Sequence, residues 1–180
     1  LGRAGFNPRS FLTTPTLGPH LAGHGVRAYA FQHATIARSG LSTMLLPSVE
    51  VIPYRSLGDL WVTLDGMLEQ PGPEQSYIYI YWGDMDEHAH RFGPDDPRVA
   101  IEFAGFNRKL DQFVRRCRAR SSGDTLLLVT ADHGHIHPPR QPAFELRNHP
   151  ALLECLTLLP GGEARLPPVI LRSGRARHVL

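Results

Sequence analysis

The sequence contains almost no lysine, little net charge and no long apolar run. Lys109 is the single lysine, and arginine supplies the other 18 of the 19 basic side chains. The formal net charge is only +2, so no broad positive field favours nucleic acid or an anionic membrane as a partner. No stretch approaches the ~20 apolar residues of a membrane span, and no signal peptide is recognisable. We therefore expect a soluble protein, with the cytoplasm as the favoured compartment.

Cysteine is also scarce, and several common catalytic loops are missing. Cys117 and Cys155 are too few for a disulfide framework or a cysteine-rich zinc site, so we expect both to be small core residues. The sequence has no Gly-x-Ser-x-Gly nucleophile elbow, no phosphate-binding P-loop and no Gly-x-Gly-x-x-Gly loop. The sequence therefore gives no motif support for a serine hydrolase of the nucleophile-elbow type or for a glycine-rich nucleotide-binding loop.

Short runs of β-forming residues alternate with longer amphipathic segments along the chain. The predicted strands are residues 26–31, 50–53, 77–82, 125–129 and 169–171, and the predicted helices are residues 16–23, 56–69, 99–117 and 151–156. This alternation is typical of a mostly parallel sheet with helices on both faces. A chain of 180 residues is long enough for one such domain and short for two. We therefore predict a single α/β domain over residues 1–180.

A first segment rich in acidic residues and histidine follows the predicted strand 77–82. It spans residues 86–94 and reads Asp-Glu-His-Ala-His-Arg-Phe-Gly-Pro. Asp86 and His90 are four residues apart, so on a helical turn their side chains share one face and could bind the same metal ion. The alternative ligands here are Asp84, Glu87 and His88. The alternative interpretation is a charged surface loop.

A second such segment spans residues 130–137 and reads Thr-Ala-Asp-His-Gly-His-Ile-His. It follows the run 125–129, which is predicted to be a fully buried strand. Asp132 and His133 are adjacent, so their side chains diverge unless the chain bends sharply, and Gly134 is expected to permit that bend. A carboxylate at the end of a buried strand needs a partner, which favours a ligand role over an accidental Asp-His pair.

Other histidines are weaker candidates. His135 and His137 could be outer ligands or local polar residues, and the second interpretation is favoured for both. No metal-ligand spacing connects His20, His24 and His33. In parallel sheets ligands bind at the carboxyl ends of strands, where both segments begin. We therefore predict that two carboxylates and two imidazoles converge at one edge of the sheet, namely those of Asp86, His90, Asp132 and His133.

These residues resemble the type I phosphodiesterase/nucleotide pyrophosphatase branch of the alkaline phosphatase superfamily. That branch has an Asp-x-x-x-His-x-x-Gly-Pro segment, matched at residues 86–94, and later a strand ending in Asp-His-Gly, matched at residues 132–134. The resemblance implies an alkaline-phosphatase-like α/β fold with two divalent ions, zinc or alternatively manganese. Asp86 and His90 would bind one ion, and Asp132 and His133 the other. The ions would activate an attacking Ser or Thr hydroxyl and stabilise the leaving oxygen.

The chain departs from the pattern of that family at both ends. The family places its nucleophile and one metal-binding Asp well before the first segment, and its last metal-binding His well after the second. We therefore assign no catalytic nucleophile and expect residues 1–180 to be the central fragment of a larger catalytic domain. On its own, this fragment is expected to turn over slowly or not at all.

The favoured function is metal-dependent hydrolysis of a small-molecule phosphate ester. A sulfatase, a phosphonate hydrolase or a phosphomutase of the same superfamily is an alternative, because the metal ligands are shared. A different class is a metal-binding or interaction module without turnover. The sequence does not identify the substrate, the metal or the oligomeric state.

Overall fold

The computed structural model describes residues 5–70, 72, 75–120, 125–137, 141–162 and 168–178, without the side chains of residues 144 and 178. The α-helices are α1 (Pro8–Phe11), α2 (Leu17–Gly23), α3 (Gly40–Leu45), α4 (Leu57–Glu69), α5 (Asp84–Phe92), α6 (Pro97–Arg120) and α7 (Pro150–Cys155). The strands are β1 (Arg27–His33), β2 (Glu50–Tyr54), β3 (Ser76–Ile80), β4 (Leu156–Leu158) and β5 (Ile170–Leu171). Short 3-10 helices cover Pro142–Phe144, Leu146–Asn148 and Ala176–His178. The chain forms two compact units, Leu1–His135 and Ile136–Leu180.

The first unit is built on a parallel sheet with strand order β2-β1-β3. The central strand β1 pairs with both neighbours, and its Phe31 lies opposite Ile52 of β2 and Ile80 of β3. Pro53 lies on β2, at the outside of this three-stranded order, where a missing N–H disturbs the sheet least. The parallel sheet and its surrounding helices confirm the predicted α/β fold class.

The hydrophobic core packs α4 and α6 against the sheet. Trp61 of α4 lies 5.2 Å from Phe113 of α6 between ring centroids, and Phe31 of β1 belongs to the same buried cluster. Helix α4 begins after Ser56, whose Oγ accepts a hydrogen bond from the Asp59 amide at 3.2 Å, as its N-capping side chain predicts. Because α4 and α6 pack against the sheet, this core also sets the positions of the strand ends.

The opposite face of β3 carries tyrosines. Side chains alternate along a strand, so Ile78 and Ile80 join the core, whereas Tyr77 and Tyr79 face away from it. With Tyr81 and residues of α2 and α3, these tyrosines line a mostly apolar cavity of about 520 Å³.

The predicted buried strand 125–129 is wrong. These residues form no strand, and the side chains of Leu126 and Leu128 are 82% and 78% exposed. A buried parallel strand needs a hydrogen-bonded neighbour and a layer on each face, and in the described part of the chain β3 pairs only with β1. An apolar run shows that a segment tolerates burial, but it does not show that a partner strand lies beside it.

The second unit contains α7 and a short antiparallel pair of strands. Leu156 of β4 pairs with Leu171 of β5, and Leu158 pairs with Ile170. Strand β5 lies within the predicted strand 169–171, whereas β4 was not predicted. Cys155 is buried at the end of α7, and Cys117 of α6 packs against the core of the first unit, so both cysteines are core residues as expected. Across the described residues, the structure contains no helix both long and apolar enough to cross a membrane.

Candidate metal centre

Helix α5 presents the first two predicted ligands. It starts four residues after β3 ends and stops at Gly93, whose φ of +99° places it in the left-handed region that glycine favours. Asp86 and His90 are one turn apart on this helix, with Asp86 Oδ1 3.3 Å from His90 Nε2. The predicted helical turn and its shared face are therefore present.

The second segment approaches the same carboxylate from elsewhere in the chain. His133 Nε2 lies 3.7 Å from Asp86 Oδ1, and His135 Nε2 lies 2.9 Å from the same oxygen. The three imidazole rings are arranged edge to face, with centroids 5.1 to 6.2 Å apart. One carboxylate oxygen is thus faced by three imidazole nitrogens.

The tightest set of donor atoms comes from three of the four predicted ligands. Ligand atoms of Asp86, His90 and His133 all lie within 4.8 Å of one another. We call these three residues, together with His135, the Asp-His cluster. The structure therefore brings both predicted segments to one place beyond the end of β3.

Asp132 lies outside that tight set. Its side chain is 80% exposed, and its Oδ1 accepts a hydrogen bond from the His133 amide at 3.0 Å. The carboxylate therefore has a backbone partner and is not buried. The argument that a buried carboxylate would need a metal ion as its partner does not apply to it. Its role as a metal ligand stays a prediction of the resemblance.

Gly134 does not make the sharp bend expected of it. It is absent from the glycines with positive φ, and a Cβ added there would meet nothing within 4 Å. A side chain would therefore be tolerated at this position. The bend in this segment lies at Asp132 instead, next to His133.

His135 was not among the four favoured ligands. Its side chain is only 10% exposed, and its Nε2 lies 2.9 Å from Asp86 Oδ1, so it lies beside the predicted ligands. Its two-residue spacing from His133 was the available sequence signal. The outer-ligand role stays a prediction.

The Asp-His cluster fits a divalent metal ion. His133 Nδ1 lies 3.0 Å from the Gly134 carbonyl oxygen, which can only accept, so Nδ1 carries the proton and Nε2 keeps a free lone pair. Metal-binding histidines commonly donate their second ring N–H in this way. Asp86 Oδ1 is buried without a hydrogen bond although three nitrogens lie near it. An ion between these atoms would satisfy them all.

The tyrosines beside the cluster are held in their neutral form. Burial first, and then the charges of Asp86 and Asp132, raise the pKa of Tyr81. Burial, followed by Asp84, raises the pKa of Tyr54 to about 12, and the Tyr54 hydroxyl donates to the Tyr81 carbonyl oxygen at 2.7 Å. Both phenols are therefore uncharged at neutral pH, and Tyr81 also lines the tyrosine-lined cavity.

The fold and the cluster define an α/β protein with a candidate metal centre beyond the carboxyl end of a parallel strand. The type I phosphodiesterase / nucleotide pyrophosphatase family matches residues 15–166, so the chain belongs to that family.

A human relative supports the same relationship over a shorter stretch. The human ectonucleotide pyrophosphatase/phosphodiesterase family member 5 is 29% identical over 68 residues, which are 37% of this chain and 14% of the human protein. The match thus covers a small part of the relative's length. No solved structure matches the chain.

Proposed function

We propose that the chain supplies part of the metal centre of an enzyme that hydrolyses small phosphate esters, with phosphodiesters as the favoured substrates. The observation that carries this proposal is the convergence of Asp86, His90 and His133, whose ligand atoms lie within 4.8 Å of one another. Family membership supports phosphate ester chemistry, and the donor set supports its dependence on a metal ion.

Zinc is the favoured ion and manganese the alternative. The resemblance assigns Asp86 and His90 to one ion and Asp132 and His133 to a second, and the ligand atoms of Asp86, His90 and His133 lie close enough to share a single ion as the alternative. When bound, the metal supplies a Lewis acid for the phosphoryl oxygens and lowers the pKa of an attacking hydroxyl.

The chain's own residues set the charge and the geometry of the centre. Asp86 contributes the one carboxylate of the tight set, and neutral imidazoles contribute no charge. A divalent ion held there keeps a net charge of about +1, by the formal charges of these ligands. This charge complements the single negative charge of a phosphodiester. The Gly134 carbonyl keeps His133 in the tautomer that a ligand needs.

A non-catalytic metal-binding module is the second candidate. It is favoured by one observation: within the described ranges, no Ser or Thr hydroxyl is hydrogen-bonded to the Asp-His cluster. Thr130, the hydroxyl residue of the second segment, bonds the neighbouring Ala131 carbonyl instead. Among the described residues, the cluster therefore combines candidate metal ligands with no hydroxyl hydrogen-bonded to them.

Hydrolysis of aryl esters separates these functions. We expect slow, zinc-dependent release of nitrophenol from bis(p-nitrophenyl) phosphate, faster than from the monoester p-nitrophenyl phosphate, and lost in Asp86→Ala. The corresponding aryl sulfate tests the sulfatase alternative. Turnover that is independent of zinc or unchanged in Asp86→Ala would contradict the catalytic proposal, and zinc binding without any turnover would support the module.

A further inference from the structure

The tyrosine-lined cavity lies on the face of the sheet opposite the hydrophobic core. Its volume of about 520 Å³ falls within the range of about 300–1,000 Å³ that is usual for small-molecule sites. Strand β3 and the residue after it contribute Tyr77, Tyr79 and Tyr81. Helices α2 and α3 contribute leucines, among them Leu17, Leu41 and Leu45. The cavity is therefore large enough for an organic molecule of moderate size.

The walls of this cavity carry no charged side chain. The described residues that line it include no Asp, Glu, Lys, Arg or His. Burial raises the pKa of the Tyr79 phenol, so this wall stays neutral at neutral pH. Moving a charged group from water into such surroundings is costly when no partner is present. A molecule that suits the cavity is therefore uncharged.

The apolar lining is partly open to water. Leu17 and Leu41 are 51% and 60% exposed, and Tyr77 and Tyr79 are each 40% exposed. Contiguous apolar surface that a protein leaves exposed marks an interaction site. Aromatic rings pack on one another in offset or edge-to-face arrangements, and the tyrosines offer several such rings. An aromatic molecule would therefore cover this surface well.

Gln32 supplies a polar group at the same cavity. Side chains alternate along a strand, so Gln32 lies on the opposite face of β1 from Phe31, which belongs to the core. Gln32 is only 8% exposed, lines the cavity, and its Oε1 is buried without a hydrogen-bond partner. Leaving a buried amide oxygen unpaired is costly, and rotating the amide exchanges its oxygen and its NH₂ group. A ligand with one hydroxyl or amine group would satisfy this amide.

We propose that the tyrosine-lined cavity binds an uncharged, largely aromatic small molecule that carries one hydrogen-bonding group for Gln32. The site goes beyond the proposed function, because no member of the Asp-His cluster lines the cavity. Its occupation requires no metal ion. The apolar walls supply most of the affinity, and the Gln32 amide selects ligands that have a polar group at the matching position.

Binding of N-phenyl-naphthylamine to the full 180-residue chain tests the proposal. This fluorescent probe is uncharged and aromatic and carries a single N–H group. We expect saturable binding of one molecule per chain, with the same affinity in zinc-free and zinc-loaded protein. Anilinonaphthalene sulfonate has the same rings and an added negative charge, so it should bind at least ~10-fold more weakly because its charge would lose water without gaining a partner.

Replacing Gln32 tests the polar contact. Gln32→Met removes the amide but keeps a side chain of similar length. We expect the affinity for the probe to fall about 3- to 10-fold, the effect of one neutral hydrogen bond, while the affinity for its N-methyl analogue, which lacks the N–H, should not fall. Leu128→Gln is the matched control. It changes an exposed apolar residue outside the cavity and should leave both affinities unchanged.

The unsubstituted chain provides a test that does not depend on how a variant folds. It should prefer the probe over the N-methyl analogue by about 3- to 10-fold, for the same hydrogen bond. Equal affinities for these two compounds would overturn the role of Gln32. Absence of saturable binding, an equal affinity for the sulfonate, or a loss in Leu128→Gln as large as that in Gln32→Met would overturn the site itself.

Discussion

The two sides of the Asp-His cluster are built differently. Asp86 and His90 lie on α5, a nine-residue helix that starts beyond the sheet and ends at a glycine cap. His133 and His135 lie on a segment without helix or strand, whose upstream residues are exposed and unpaired with any described strand. One side therefore has the regular hydrogen bonds of a helix, and the other has only the bonds of His133 to its two neighbours and the contacts with Asp86. Metal binding would then order the second side more than the first, because binding free energy is partly folding free energy.

Removing the carboxylate that both sides share should have the largest effect. Asp86→Ala deletes the oxygen that three imidazoles face, so we expect zinc affinity to fall by more than ~100-fold, the upper end for changes outside the ligand shell. Glu87→Ala, an exposed neighbour on the same helix, is the control for charge. Isothermal titration calorimetry measures both. Equal losses in the two variants would show that Asp86 acts only through net charge.

Removing one imidazole from either side should have a smaller effect. His90→Ala and His133→Ala are each expected to weaken zinc binding by at least ~10-fold, because each removes one of several ligands. His88→Ala should bind zinc as the unsubstituted chain does. If the His133 variant retained full affinity, the segment that carries His133 would play no part in holding the ion.

Amide hydrogen exchange tests whether α5 and residues 130–135 differ in how strongly zinc orders them. Zinc should slow exchange in residues 130–135 by several-fold more than in α5, since the helix already has internal hydrogen bonds. The comparison uses the same protein with and without zinc, followed by mass spectrometry of the peptides. Equal protection of both segments would indicate that residues 130–135 are already ordered in the metal-free protein.

The smallest effect is expected upstream of the second segment. Leu128→Gln should change the free energy of unfolding by no more than about 0.5 kcal/mol, because its side chain is exposed. Urea unfolding of the metal-free chain measures this. A loss of about 2–5 kcal/mol, which is typical of a truncated core leucine, would show that residues 125–129 form the buried strand first predicted.

The sequence predicted the features that depend on local spacing. The four-residue interval between Asp86 and His90 identified a helical face, and Ser56 marked the start of α4. Both depend on hydrogen bonds within a few residues, which a single sequence reports directly. The two segments do meet, but not for the predicted reason, because residues 125–129 form no strand that could deliver the second segment to the edge of the sheet.

The features that depend on distant partners were not predicted. The run 125–129 has the composition of a buried strand, but pairing with a neighbour is not visible in composition. His135 was favoured as a local polar residue, whereas its Nε2 lies 2.9 Å from Asp86 Oδ1 on a distant helix. Asp132 was expected to be buried, whereas it bonds a backbone amide at the surface. In each case the missing information was a tertiary contact.

A double-mutant cycle tests most directly whether both sides hold one ion. Zinc affinity is measured by calorimetry for the unsubstituted chain, His90→Ala, His133→Ala and the double variant. Residues that share a ligand are coupled, so we expect the double variant to lose clearly less affinity than the sum of the two single losses in free energy. Strictly additive losses would mean that His90 and His133 bind separate ions, and the shared centre described here would be wrong.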